Sequence, residues 1–325
     1  MKCAITGALS YSGRYLAASL LSKGHDVVNL SRRGVPIAPE PLSAPQARAL
    51  GTHRIRLDFN DVDAMARSLE GCDVLFSTYW VRFADRGGEN PHSIAAANCA
   101  RLWEAAKRAG VRKIVMASHT RTSVDSPFPY IAGKATAEAA LRDSGVNYAI
   151  VRPCGIFGDT AAESILMNNA AWVLRRSPLF LLAGDGSHRF QPVHVRDIAE
   201  LMEELGTSCN TSGEEIDACG PDTPTALELF TKLRDASGGV ARIAAAGPLL
   251  STATITALTK PIDWLTGDTL LDADDLDLLT SGLTVADAPD DPRIKARRSL
   301  FAWIEAQGRD LGRSYVSSVE RYYSN

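Results

Sequence analysis

One segment near the N-terminus constrains the fold of this 325-residue chain more than any other. It connects an apolar run, Cys3–Thr6, to a helical pattern, Gly13–Ser22. In a βαβ unit, the first glycine of such a loop permits a tight turn and the last lets helix and strand pack closely, while the helix N-terminus offers N–H groups to a pyrophosphate. A serine stands where a middle glycine is usual, and its hydroxyl can donate a hydrogen bond. The order strand, loop, helix therefore predicts a dinucleotide site formed by Gly7, Ser10, Tyr11, Ser12 and Gly13.

The end of the second predicted strand indicates which dinucleotide this site takes. Sites specific for NAD(H) place Asp or Glu there to accept from the ribose hydroxyls, whereas a 2′-phosphate favours arginine. Here the chain reads Asn29-Leu30-Ser31-Arg32-Arg33 and carries no acid. We therefore predict that Arg32 and Arg33 make NADP(H) the preferred cofactor, with NAD(H) as the alternative. A purely surface role for the two arginines is the other interpretation.

Short β-rich runs alternate with helical patterns through the first half of the chain, as in a parallel sheet with crossover helices. The segment Pro36–Pro45 is rich in Pro, Ala and Ser, and we expect a loop there in place of a crossover helix. The predicted strands of this half are Cys3–Thr6, Asp26–Leu30, His53–Leu57, Asp73–Ser77, Lys113–Ala117 and Asn147–Val151. The predicted helices are Gly13–Ser22, Val62–Leu69, Ser93–Ala109 and Ile131–Arg142.

The pattern becomes irregular after Arg152-Pro153. We expect helices at Ala161–Arg176, Val195–Leu205, Ala226–Ser237 and Ser299–Gln307, and short strands at Leu179–Leu182 and Glu215–Ala218. The fold class predicted is α/β, a Rossmann doubly wound parallel sheet with a smaller C-terminal substrate lobe. Residues 1–158 would form the NAD(P)-binding domain, and residues 159–325 mainly the substrate lobe, with some segments returning to the first domain.

Composition and charge argue against several other classes of protein. A formal net charge of -3 favours neither nucleic acid nor an anionic membrane as partner. The six cysteines form no Cys-x-x-Cys pair, so we expect no metal and no disulfide framework, but reduced thiols in a cytoplasmic protein. The uncharged stretch Ile243–Thr259 is too weakly apolar for a membrane span, and Met1 leads directly into a strand, which leaves no room for a signal peptide.

A tyrosine and a lysine supply the first sign of catalysis. Tyr130 and Lys134 lie four residues apart and hence on one face of the predicted helix. A nearby positive charge stabilises phenolate, so Tyr130 can donate or accept a proton near neutral pH. Pro129 suits the start of a helix, whose dipole acts in the same direction.

With these motifs the chain resembles the short-chain dehydrogenase/reductase superfamily, in its extended or atypical, epimerase/dehydratase-like branch. The resemblance begins at the glycine loop and ends at Val193-His194-Val195-Arg196-Asp197. It implies that the Asp58 carboxylate contacts the amino group of the adenine and that Phe59 packs beside the adenine ring. The residues that it implies around the nicotinamide and its ribose are Ser77, Thr78, Tyr79, Lys134, Pro153 and Ile156.

The family's Ser or Thr partner of the tyrosine normally lies in a Ser-Ser pair, but here the chain reads Ala117-Ser118-His119-Thr120. The resemblance implies that Ser118 or Thr120 orients the substrate oxygen. Which of Ser118, His119 and Thr120 assists Tyr130 stays open, and so does a Ser118 hydroxyl satisfied by backbone.

Aromatic residues follow the fourth predicted strand, at the edge of the sheet where ligands bind. They suggest an aromatic, weakly polar pocket, although aromatic side chains are more often core. Arg189 resembles the arginine that nucleotide-sugar enzymes direct at a diphosphate, and His194 is expected to be a buried scaffold residue. The candidate substrate contacts are Trp80, Arg82, Phe157, Trp172 and Arg189.

The leading functional hypothesis is an NADP(H)-dependent oxidoreductase. It would transfer hydride to or from a carbonyl, an alcohol or an activated ring carbon of a small, aromatic or apolar substrate. One alternative is a nucleotide-sugar epimerase or dehydratase with retained NAD(P), and the other is a non-catalytic NADP-sensing or scaffold protein. A homodimer is an open expectation.

The arginines at the second strand generate the first testable prediction. NADPH should bind at least about tenfold more tightly than NADH, because only NADPH offers a phosphate to Arg32 and Arg33. A titration followed by tryptophan fluorescence measures both dissociation constants. Equal affinities would show that the two arginines do not select the cofactor.

Overall fold

Helices and strands alternate along most of the first part of the chain, as the sequence pattern predicts, except between the second and third strands. The computed structural model describes residues 1–36, 38, 40–81, 90–209, 212–247, 251–266, 268, 273–287, 291–293 and 297–317. The first of two compact units comprises Met1–Pro153, Arg196–Asp217 and Asp291–Ile294. Its elements are β1 (Lys2–Thr6), α1 (Tyr11–Ser22), β2 (Asp26–Leu30), α2 (Ala44–Thr52), α3 (Val62–Leu69), β3 (Val74–Ser77), α4 (Pro91–Arg108), β4 (Lys113–Ala117), α5 (Pro129–Asp143) and β5 (Asn147–Pro153). Two elements later in the chain complete it, α7 (Val195–Thr207) and β9 (Glu214–Ala218).

These strands form one six-stranded sheet in the order β2-β1-β3-β4-β5-β9. The pairings of β1 with β2 and β3, of β3 with β4 and of β4 with β5 are parallel. Helix α4 covers this sheet with Cys99, Leu102 and Trp103, which pack in one apolar cluster with strand residues such as Leu75 and Ile114. The predicted α/β Rossmann class is therefore confirmed. Because the chain passes from one side of β1 to the other, a crevice opens at the carboxyl ends of β1 and β3, where such sheets bind ligands.

Two local predictions beside β2 are wrong. The crossover between β2 and β3 contains a helix, α2, which begins at Ala44 inside the segment predicted to be a loop. Ser43 and Gln46 form a capping box and Pro45 occupies the first turn, which are start signals strong enough to nucleate a helix there. The predicted strand His53–Leu57 is reduced to a single parallel bridge between Leu30 and Ile55.

The second unit comprises Cys154–Val195, Ala218–Asp290 and Lys295–Asn325. Its elements are β6 (Ile156–Phe157), α6 (Ile165–Arg176), β7 (Leu179–Leu182), β8 (Val193–His194), α8 (Ala226–Ser237), β10 (Arg242–Ala245), α9 (Thr252–Thr266), α10 (Ala273–Thr280) and α11 (Leu300–Gln307). The predicted helix Ala161–Arg176 is divided, because a 3₁₀ turn at Ala161–Glu163 precedes α6. At the break between the 3₁₀ turn and α6, the hydroxyl of Ser164 accepts a hydrogen bond from the Gly158 N–H at 3.0 Å. Within the described ranges, no helix is long and apolar enough to cross a membrane.

A buried carboxylate anchors α5 to the sheet. Glu138 is 1% exposed, and its oxygens accept from Arg152 at 3.0 and 2.6 Å, from Arg142 at 3.0 Å and from the Thr122 hydroxyl at 3.1 Å. Glu215 on β9 accepts from both arginines at 2.6 to 2.9 Å. A buried charge is stable only when it is paired and hydrogen-bonded, so this network fixes α5 against β5 and β9.

We expect Glu138→Ala to reduce the free energy of unfolding by about 1.5–3 kcal/mol, because the half-buried Arg152 loses two charge-assisted hydrogen bonds and keeps only its bond to Glu215. Urea denaturation measures the loss. Glu104→Ala is a matched control, since Glu104 also pairs with an arginine one helical turn later but lies half-exposed, where ion pairs contribute little. Similar losses in the two variants would contradict the role given to the buried network.

Candidate active site

The glycine loop at the carboxyl end of β1 is shaped for a phosphate. Gly7 has a φ of +77°, and the Ser10 N–H donates to its carbonyl at 2.8 Å. Ser10 caps α1, where its hydroxyl accepts from the Gly13 N–H at 3.4 Å. A Cβ at Gly13 would lie 2.0 Å from the Gly7 carbonyl oxygen, so only glycine permits this approach. The first turn of α1 carries no acid, and the loop therefore fits a pyrophosphate.

The loop is held from beneath by a residue that the sequence analysis missed. Asn29 on β2 is 1% exposed, and its Oδ1 accepts from the Ala8 N–H at 2.9 Å. Its Nδ2 donates to the Leu50 carbonyl of α2 at 3.1 Å. The signal for it was an amide inside an apolar strand, since a buried amide needs partners on both sides.

The two arginines that are predicted to select the cofactor, Arg32 and Arg33, lie directly after β2. Arg32 is exposed and Arg33 is half-buried, and burial lowers the pKa of the Arg33 guanidinium. The Arg33 N–H donates to the Ser31 hydroxyl at 3.0 Å, which forms a tight turn at the end of the strand. Both side chains therefore belong to the loop that leaves the carboxyl edge of the sheet.

The carboxyl ends of β1 and β3 are joined by a pair of threonines. The Thr78 N–H donates to Thr6 Oγ1 at 2.9 Å, and the Thr78 hydroxyl donates to the Thr6 carbonyl at 2.6 Å. Ser77 is buried at the end of β3. These bonds fix the edge of the crevice where Ser77 and Thr78 are predicted to meet the cofactor.

Asp58 and Phe59, which are predicted to lie at the adenine, are followed in space by Tyr79, which is predicted to flank the nicotinamide ribose. The rings of Phe59 and Tyr79 pack with centroids 4.7 Å apart, and the Tyr79 hydroxyl accepts from Asn98 Nδ2 at 2.9 Å. Asp58 uses one carboxylate oxygen to accept from the Asn60 N–H at 2.9 Å. The structure thus brings Phe59 and Tyr79 together and places Asp58 in a turn beside them.

The predicted catalytic pair starts α5. Lys134 is 4% exposed, and its ammonium donates to the Ala117 carbonyl at 3.0 Å and lies 6.0 Å from the centroid of the Tyr130 ring. It also lies 4.0 Å from the centroid of the Trp80 indole, a cation–π distance. Burial lowers the pKa of Lys134 to about 8, even though the negative charge of Glu138 opposes the shift.

Aromatic side chains surround Tyr130. The rings of Trp80, His92 and His119 lie 6.1, 5.4 and 5.5 Å from it, each in an edge-to-face arrangement. The Trp80 Nε1–H donates to His92 Nδ1 at 3.2 Å, so that nitrogen carries no proton. His92 was missed from sequence, because only the packing of α4 on α5 brings it to Tyr130.

The segment after β4 carries two residues, Ser118 and Thr120, whose side-chain hydroxyls are buried. The backbone N–H group of each is already hydrogen-bonded. The Ser118 N–H donates to the Val151 carbonyl at 2.7 Å, and the Thr120 N–H to the Pro153 carbonyl at 3.2 Å. Neither Ser118 Oγ nor Thr120 Oγ1 has a hydrogen-bond partner among the residues described. Buried hydroxyls normally have one, so each keeps an unused hydrogen-bond donor, as the predicted role of orienting a substrate oxygen requires.

His119 lies between these two hydroxyls in the chain. Its Nδ1 is 2.7 Å from the Thr120 carbonyl, which can only accept, so Nδ1 carries the proton and Nε2 is the acceptor. Burial lowers the pKa of His119 to about 4, and the imidazole is therefore neutral at pH 7.

Three of the remaining predicted substrate contacts, Phe157, Trp172 and Arg189, belong to the second unit. Phe157 is fully buried in the core of the second unit, 5.0 Å from His194 and 5.4 Å from Trp303, which corrects its assignment as a pocket residue. Ile156 pairs with Val193 in the same unit.

Trp172 packs on Tyr315 at 5.6 Å, and Arg189 donates to the Thr223 carbonyl at 2.7 Å. Arg82 lies outside the described residues. Across the described part of the chain, no cluster of His, Cys, Asp or Glu is arranged to hold a metal ion.

Fold and site together define a Rossmann-type NAD(P)-binding protein. A family model described as NAD(P)H-binding matches residues 7–171, just over half of the chain. The chain belongs to this NAD(P)H-binding family, which agrees with its resemblance to the short-chain dehydrogenase/reductases.

Among proteins of known name, the chain is 26% identical over 247 residues to the NADH dehydrogenase [ubiquinone] 1 alpha subcomplex subunit 9 of Dictyostelium discoideum, with 74% of this chain and 65% of that protein covered. The chain spans less than two thirds of the length of the first curated relatives that it matches.

Two solved structures share the fold. The NADPH-dependent quinone oxidoreductase of Escherichia coli, complexed with NADPH, superposes with a TM-score of 0.69 at 22% identity and covers 94% of this chain and 98% of that one. The triphenylmethane reductase of Citrobacter sp., complexed with NADP(H), has a TM-score of 0.69 at 14% identity and covers 94% of this chain and 100% of that one.

The geometry of the loop separates the roles of Ser10 and Gly13. Ser10→Gly should leave NADPH affinity within about twofold, because glycine replaces a serine cap at small cost. Gly13→Ala should abolish binding, because its Cβ would overlap the Gly7 carbonyl. Isothermal titration calorimetry measures both, with circular dichroism to check that each variant folds. Complete loss of binding in Ser10→Gly would mean that the hydroxyl itself is required.

Proposed function

We propose that the protein is an NADPH-dependent reductase or dehydrogenase of small, planar, weakly polar substrates. The observation that carries the proposal is the position of Tyr130 beside the buried ammonium of Lys134, inside a group of aromatic side chains. This arrangement provides a proton donor, a charge that stabilises its conjugate base and an aromatic surface beside them.

The residues around the crevice have the properties that the cofactor requires. Gly7, Ser10 and Gly13 would hold the pyrophosphate, and Arg32 and Arg33 the 2′-phosphate. When bound, the nicotinamide would supply or accept the hydride.

Tyr130 would move the proton that accompanies hydride transfer. In the direction of reduction, a carbonyl carbon gains the hydride and its oxygen takes the proton from the Tyr130 hydroxyl. Lys134 would stabilise the resulting phenolate, because its ammonium is buried and is attracted to any negative charge formed nearby. Ser118 or Thr120 would donate a hydrogen bond to the same substrate oxygen, since both hydroxyls are buried and lack partners among the described residues.

The aromatic side chains favour a planar conjugated substrate over a sugar. Trp80 and His119 would contact it through ring faces and edges, and the imidazole of His119 is neutral at pH 7. Two proteins of the same fold are named for quinone and triphenylmethane substrates, which supports the same class.

A second candidate is an NADPH-binding protein without turnover. It is favoured by the relatives named as subunits of an NADH dehydrogenase. Under this proposal the cofactor stabilises the first unit, and Tyr130 and Lys134 have only a packing role. The two candidates differ in one measurable property, which is net oxidation of NADPH.

Replacement of Tyr130 tests the catalytic proposal. With NADPH and a simple benzoquinone as probe substrate, Tyr130→Phe should lower kcat by about 10²–10⁴-fold and leave the dissociation constant of NADPH nearly unchanged, because it removes only the transferred proton. Tyr148→Phe is the control, since it removes a hydroxyl from β5 in the same unit. Unchanged turnover in Tyr130→Phe contradicts the role of Tyr130, and NADPH binding with no turnover of a panel of quinones and carbonyls by the wild type favours the second candidate.

A further inference from the structure

A third arginine touches the loop that carries Arg32 and Arg33. Arg54 follows α2 directly, and its Nε donates to the Arg32 carbonyl at 3.2 Å. Its Nη1 donates to the Gly51 carbonyl in the last turn of α2 at 2.8 Å. One planar guanidinium therefore bridges the cofactor-selecting loop and the helix that packs beside it.

Two glycines make this bridge possible. A Cβ at Gly51 would lie 2.0 Å from the Gly34 carbonyl oxygen, so α2 and the loop are in backbone contact. A Cβ at Gly34 would lie 3.1 and 3.2 Å from Arg54 Nη1 and Cζ, so the guanidinium packs against the open side of Gly34. The loop has little room to move away from the helix at this point.

The sheet holds the other end of the loop. The Ser31 N–H donates to the Ile55 carbonyl at 2.9 Å, and the Ile55 N–H donates to the Asn29 carbonyl at 2.9 Å. Arg54 precedes Ile55, so the residue that bridges to Arg32 is itself fixed at the edge of the sheet. The segment from Ser31 to Gly34 is thus bound at both ends by residues 54 and 55.

We propose that Arg54 is a specificity-determining positioning residue for the 2′-phosphate of NADPH, acting by holding the backbone of Arg32 to Gly34. A loop already held in its binding conformation loses less conformational entropy when the phosphate arrives. NADH lacks the 2′-phosphate that Arg32 and Arg33 would bind, so this preorganisation raises the affinity for NADPH alone. The inference rests on the proposed NADPH preference. It adds a residue that supports this preference by positioning Arg32 and Arg33.

Charge and geometry at position 54 can be separated, because lysine keeps the charge but cannot present two nitrogens in a fixed fork to two carbonyls. Arg54→Lys tests the fork, and Arg54→Gln removes charge and fork together. Arg48→Gln is the control. Arg48 lies on α2 and lines the same groove of about 480 Å³ as Gly34 and Arg54, yet it makes no hydrogen bond to the loop among the residues described.

Dissociation constants for NADPH and NADH are measured by calorimetry on the four proteins, with thermal unfolding to establish that each is folded. We expect Arg54→Lys and Arg54→Gln each to weaken NADPH binding at least about fivefold and to change NADH binding less than about twofold. Arg48→Gln should change neither constant by more than about twofold.

Three results would overturn the proposal. If Arg54→Lys keeps the selectivity for NADPH over NADH and Arg54→Gln loses it, the charge at position 54 and not the guanidinium fork determines the selectivity. Equal weakening of NADPH and NADH means that Arg54 has only a structural role. Equal affinities in the wild type remove the NADPH preference itself, whereas the first two results leave that preference and the reductase activity standing.

Discussion

The burial of the Lys134 ammonium is the constraint around which the candidate site is arranged. A charge removed from water needs compensation, and the first unit supplies it from three directions. The Ala117 carbonyl at the end of β4 accepts a hydrogen bond from the ammonium, the centroid of the Trp80 ring lies 4.0 Å from it and the negative charge of Glu138 attracts it. Each partner belongs to a different element, so the position of Lys134 couples the ends of β3 and β4 to α5.

The same arrangement recurs at the other loops of the sheet edge. Asn29 holds the glycine loop, Thr6 holds Thr78, and Glu138 holds Thr122 in the segment after β4. In each case a side chain on a strand or helix satisfies a polar group of the neighbouring loop. Loops that carry binding residues need such anchors, because their own backbone provides few internal hydrogen bonds. The candidate site is therefore rigid where the phosphates and the reacting oxygen are expected.

Local signals predicted most of the fold and failed at one crossover. The alternation of strand, loop and helix patterns predicted all the central strands of the first unit, because each pattern depends on residues that are close in sequence. Between β2 and β3 the Pro, Ala and Ser residues favour a loop, and the capping signals of Ser43 and Gln46 favour a helix. The helix forms because it packs through Gly51 on Gly34, a contact between segments that no local pattern reveals.

The sequence by itself determined the glycine loop, the spacing of Tyr130 and Lys134 on one helix face and the arginines after β2. These features need only the period of a helix or the end of a strand, which neighbouring residues set. Only the tertiary structure decided that His92, His119 and Trp80 surround Tyr130, that Asn29 supports the loop and that Arg54 holds Arg32. These partners are separated along the chain and meet only when helices pack on the sheet. Their contacts follow from that packing, because no short-range pattern encodes which side chains it brings together.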